Sequence, residues 1–96
     1  MKKLIKIEDV LFSDGIIEKY QFKVDDLNMY FKDYADTELI FNFSGNIKVQ
    51  EQKGLGASIY ESRLEKLDRR YRLRLLDDDL TEMLNIEFGS CEISLL

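Results

Sequence analysis

Along most of this chain the apolar residues recur at every second position, in short runs. Leu39, Phe41 and Phe43 form one such run, Tyr71, Leu73 and Leu75 a second, and Leu84, Ile86 and Phe88 a third. A side-chain period of two places alternate residues on one face of a strand, so each run predicts a half-buried strand. Ile47 with Val49, and Cys91 with Ile93 and Leu95, extend the pattern. From 16 to 24, Ile16, Glu18, Tyr20, Phe22 and Val24 fall on one face, and Ile17, Lys19, Gln21 and Lys23 on the other. Residues 4–12 and 27–34 read as further strands, the latter with Leu27, Met29 and Phe31 inward.

Punctuation between the runs agrees. Proline is absent, and the five glycines (15, 45, 54, 56 and 89) fall where turns belong. Ser13-Asp14-Gly15 predicts a hairpin joining 4–12 to 16–24. One segment breaks the period. Ser58-Ile59-Tyr60-Glu61 has the form of a capping box, Tyr60, Leu64, Leu67 and Tyr71 keep helical spacing, and Glu65 stands four residues before Arg69. The expected fold is therefore mostly β. It is a small antiparallel β-sandwich or partly open barrel of about seven to eight strands, with one short α-helix near residues 58–69. The length of 96 residues predicts a single domain spanning 1–96.

Thr37-Glu38-Leu39-Ile40-Phe41-Asn42-Phe43-Ser44-Gly45 resembles Thr81-Glu82-Met83-Leu84-Asn85-Ile86-Glu87-Phe88-Gly89. Alternating strands resemble one another by chance, and no sustained period accompanies the likeness, so it is read here as coincidence.

With 45% hydrophobic residues the chain has material for a core, and the net charge of −5 disfavours nucleic acid and anionic membranes as partners. No apolar stretch approaches the roughly 20 residues of a membrane helix. The start, Met1-Lys2-Lys3-Leu4-Ile5, is interrupted by Lys6, Glu8 and Asp9 before it can form a signal sequence. A single cysteine forms no internal disulfide, and a cytoplasmic location is expected.

Histidine is absent, which removes a Ser-His-Asp triad, a Cys-His pair and any histidine-bearing zinc site. Cys91 has no base partner and reads as a buried structural residue. The chain is expected to be no enzyme, with no catalytic residue, metal or cofactor. Gly54-x-Gly56 stands where a phosphate-binding loop would, but Ile59 replaces the third glycine, so a connector is expected. Asp77, Asp79 and Glu82 offer calcium-type oxygen ligands without the spacing of a calcium loop; solvated turns are expected.

Two features remain as contact surfaces. Tyr30, Asp33, Tyr34 and Asp36, with the acidic turn Asp77, Asp78 and Asp79, form a candidate surface for a protein partner of basic character. Arg70, Arg72 and Arg74 share one face of a strand whose other face carries Tyr71, Leu73 and Leu75, a candidate anion-binding row with cross-strand ion pairing as the alternative. In size, acidity and lack of catalytic groups the chain resembles small bacterial immunity proteins and phage-encoded inhibitors. The expected function is a binding module acting by protein–protein contact. The alternatives are a homo- or hetero-oligomer built through a strand edge, and a small anionic-ligand binder using the arginine strand.

Overall fold

A computed structural model describes residues 4–52 and 56–96. They form nine strands: β1 (Leu4–Ile5), β2 (Ile16–Lys23), β3 (Asp26–Lys32), β4 (Glu38–Ser44), β5 (Lys48–Glu51), β6 (Glu61–Lys66), β7 (Tyr71–Leu76), β8 (Glu82–Phe88) and β9 (Ser90–Leu95). All pairings are antiparallel. One sheet has the order β1-β9-β4-β3-β2 and the other β5-β8-β7-β6. The alternating apolar residues of both sheets meet in one core. Phe12, Phe31, Phe41 and Phe43 form a chain of ring contacts, and Phe43 reaches Phe88 of the opposite sheet at 4.8 Å between centroids. The result is a sandwich.

Four local expectations are corrected. Residues 58–69 hold no α-helix; Glu61–Lys66 is strand β6, paired residue for residue with β7. An isolated helix of this length is marginal, whereas pairing with β7 satisfies the backbone and sets Glu65 against Arg72 and Arg74. Tyr60, the first residue of the supposed apolar stripe, is exposed.

Residues 4–12 are not one strand. Only Leu4–Ile5 pairs, with β9; Ile7–Asp9 is a 3-10 turn, and Phe12 then enters the core. Nor does Ser13-Asp14-Gly15 close a hairpin, because β1 and β2 lie at opposite edges of their sheet. The turn instead sends the chain across the end of the sandwich. A Cβ on Gly15 would stand 2.3 Å from the Phe31 ring, so only glycine fits.

The face assignment in β2 changes midway. A bulge between Ile17 and Lys19 makes Glu18 the extra residue, so Ile17, opposite Phe31, and Tyr20, opposite Met29, both face the core side. A second bulge, between Leu75 and Leu76, lets Met83 and Leu84 both be buried.

Candidate functional site

The first turn of interest joins β3 to β4. The Asp33 carboxylate accepts the backbone N–H groups of Ala35 and Thr37, both at 2.9 Å, and Asp36 takes a positive φ of 63°. An aspartate is suited to this position because its short carboxylate reaches two and four residues ahead. The turn holds Tyr34 out into solvent, 62% exposed. Beside it pass the extended residues Val10 and Leu11 and the end of β9. Together they line a groove of about 220 Å³ formed by Ile5, Asp9, Val10, Leu11, Asp33, Tyr34, Thr37, Leu39 and Leu95. Leu11 is 64% and Leu95 53% exposed. Three large apolar side chains thus stand in water around one concavity, which makes it a candidate contact surface. Asp9 and Asp33 line the groove, and Leu96 N–H donates to the Glu38 carbonyl at its edge.

Of the residues expected at a partner surface, Asp33 and Tyr34 line this groove and Asp36 lies in the same turn. Tyr30 does not join them. It lies half-buried on the outer face of the five-stranded sheet, with Lys19 Nζ 4.6 Å from its ring centroid. Asp77, Asp78 and Asp79 lie in the β7–β8 turn, and Asp77 and Asp78 line a different concavity together with Asp14 and Tyr60. Leu11 falls in the apolar stretch 4–12 and Leu95 in the alternating run of the last strand, both read from the sequence as strand residues. No local signal marks them as exposed, because their exposure depends on where the neighbouring sheet ends.

The Asp77 turn is built like the Asp33 turn. Its carboxylate accepts from Asp79 N–H at 3.0 Å and Thr81 N–H at 2.9 Å, and Leu80 takes a positive φ of 61°. Unlike the solvated turn expected, Asp77 is only 5% exposed. Ligand atoms of Asp77, Asp78 and Asp79 lie within 4.8 Å of one another, but Asp77 is engaged in holding its turn.

Arg72 and Arg74 project from the outer face of β7, whereas Arg70 precedes the strand and so does not share that face as expected; all three meet partners within the chain. Arg72 pairs with Glu87 at 3.6 Å and Glu65 at 4.0 Å; Arg74 pairs with Glu82 at 3.5 Å and Glu65 at 3.6 Å. Arg70 donates to the Asn46 carbonyl. The row is a cross-strand ladder whose guanidiniums are already engaged, each exposed pair contributing about 0.2–1 kcal/mol.

Comparison with protein-family models, curated proteins and solved structures finds no match. The site must therefore be read from its own chemistry. The Gly54-x-Gly56 loop falls on residues outside those described, apart from Gly56, whose N–H donates to the Ile17 carbonyl. No helix among the described residues is long and apolar enough to cross a membrane.

Cys91 is half-buried beside Phe88 and Tyr71, in a third concavity, of about 550 Å³. Burial first, and then the charge of Glu92, push its thiol up to about 12. The thiolate is the nucleophile, so Cys91 is expected to react with an alkylating reagent at pH 8 about a thousandfold more slowly in the folded than in the unfolded chain. Comparable rates with and without denaturant would refute this. Because the folded thiol holds its proton longer, this contribution to stability is intact below the unfolded pKa and is lost as pH rises from about 9 towards 12.

Strand edges bear on assembly. The open edge of β2 carries the bulge and the exposed Lys19 and Lys23, and β6 carries Arg63 and Lys66. Bulges and lysines on an edge oppose the docking of another strand.

Proposed function

We propose that the protein is a small, non-catalytic, cytoplasmic binding module acting by stoichiometric contact with another protein. A role as an immunity or inhibitor protein is one form of this reading. The groove at Leu11, Tyr34 and Leu95 carries the proposal. It pairs exposed apolar surface with acidic neighbours, Asp9, Asp33, Asp36 and Glu38, in a chain of net charge −5. The partner that fits presents an apolar side chain flanked by basic residues: the apolar group fills the groove, and the charges steer the encounter. A cytoplasmic setting is supported by the single cysteine and the absence of any internal disulfide it could form.

The test compares capture of a partner by the immobilised protein and by Leu11→Asp and Tyr34→Ala. Both positions are exposed, so the fold is expected to survive, as checked by circular dichroism. Each change is expected to weaken binding at least about tenfold, or 1.4 kcal/mol, and raising salt is expected to slow association. A partner held equally well by both variants removes the groove from the interface. Failure of the parent protein to retain any partner argues against the binding-module reading itself.

A further inference from the structure

The resemblance between 37–45 and 81–89, which the sequence alone leaves as coincidence, extends far beyond those nine residues once the strands are placed. Asp33 and Asp77 are 44 residues apart, as are Thr37 and Thr81, Glu38 and Glu82, and Gly45 and Gly89. The two aspartates make the same pair of hydrogen bonds, to the backbone two and four residues on. Asp36 and Leu80, also 44 apart, carry the same positive φ, which is costly for leucine. The same displacement carries β2 onto β6, β3 onto β7, β4 onto β8 and β5 onto β9.

Pairing obeys the same rule. Each half is a three-stranded meander, β2-β3-β4 or β6-β7-β8, plus a fourth strand. That fourth strand leaves its own half: β5 adds to β8, and β9 adds to β4. The registers agree once two bulges, each without a counterpart in the other half, are allowed for: Ile17/Lys19 in the first half and Leu75/Leu76 in the second. Asn28 faces Asn42, which faces Glu92, and in the other half Arg72 faces Glu87, which faces Lys48. The halves meet at the two glycines. A Cβ on Gly45 would stand 3.1 Å from Gly89 Cα, and Gly45 has a φ of 89°. Reciprocal contact of this kind is the signature of a two-fold relation.

We infer that the chain consists of two copies of one four-strand unit, joined in tandem and closed by exchanging their fourth strands. Each half is then the partner surface of the other. Neither meander has its fourth strand without its neighbour, and strand β9 of the second half supplies Leu95 to the groove of the first. The few identities that survive are the aspartate that ties the turn, the threonine and glutamate that follow it, and the glycine where the halves touch, of which Gly45 alone has a positive φ.

The test cuts the folded full-length chain at a protease site placed within residues 53–55. The two pieces are expected to stay together on gel filtration and to melt in one transition whose midpoint falls on dilution, as for any two-component complex. Pieces that separate, each keeping its strand signal, would overturn the exchange. So would a loss of structure that higher concentration does not restore. A second arm leaves the chain uncut and moves the second turn into the first, in frame, by Tyr34→Asp, Ala35→Asp and Asp36→Leu together. Equivalent turns predict a single transition with the midpoint within about 5 °C of the parent. Loss of the native fold would show that the halves are not copies.

Discussion

Phe41→Ala is expected to destabilise the protein by about 3–5 kcal/mol in urea unfolding at 25 °C. Phe41 is fully buried in β4, the middle strand of the five-stranded sheet. Its ring meets Phe12 at 5.6 Å, Phe31 at 5.9 Å and Phe43 at 5.9 Å. Truncation loses the transfer energy of the ring, leaves a cavity in the packed core, and removes three aromatic contacts. A 96-residue domain has about 5–14 kcal/mol to lose, so the variant stands at the edge of folding at 37 °C. Phe22→Ala makes the control, because Phe22 has the same chemistry but is mostly exposed near the β2–β3 turn. It is expected to cost under about 1 kcal/mol. Similar losses for the two variants would mean that burial in this core has been misassigned.

The second large effect separates the two aspartate turns. Asp77→Ala leaves the N–H groups of Asp79 and Thr81 without their acceptor in a part-buried setting around the buried Asp77, and hydrogen bonds to a charged group contribute about 1.5–3 kcal/mol each. With partial replacement by water, the expected loss is about 2–4 kcal/mol. Asp33→Ala removes the same two bonds, but water reaches that turn and the loss is expected near 1 kcal/mol. Asp77→Asn keeps a carbonyl oxygen where the carboxylate stood and is expected to recover much of the difference. If alanine costs the same at 33 and 77, burial does not distinguish the turns.

How much of this was legible from the residues differs from element to element. Leu39-x-Phe41-x-Phe43 and Leu84-x-Ile86-x-Phe88 announced β4 and β8 because a buried face repeats at the strand period whatever lies beyond it. Glu61–Lys66 misled because its local preferences are helical. A capping box and an i, i+4 pair are worth tenths of a kcal/mol each, less than the ladder of hydrogen bonds that β7 offers. Glu18 gave no sign that it is a bulge residue, so half of β2 was assigned to the wrong face. At the candidate site, Tyr34 and Asp33 stood out as an aromatic beside acids in a turn. Leu11 and Leu95 did not, since apolar residues at alternating positions look alike whether a second sheet covers them or stops short.

The alternation, the turn residues and the missing histidine determined the strand-rich class, most strand positions and the absence of histidine chemistry, because these depend on period and residue type alone. Tertiary structure decided which strands are neighbours, that β5 and β9 cross to the opposite half, that the arginine row is occupied by Glu65, Glu82 and Glu87, and that three apolar residues meet at a groove. Those outcomes depend on contacts between residues far apart in the chain, whose energy exists only once the sheets have closed.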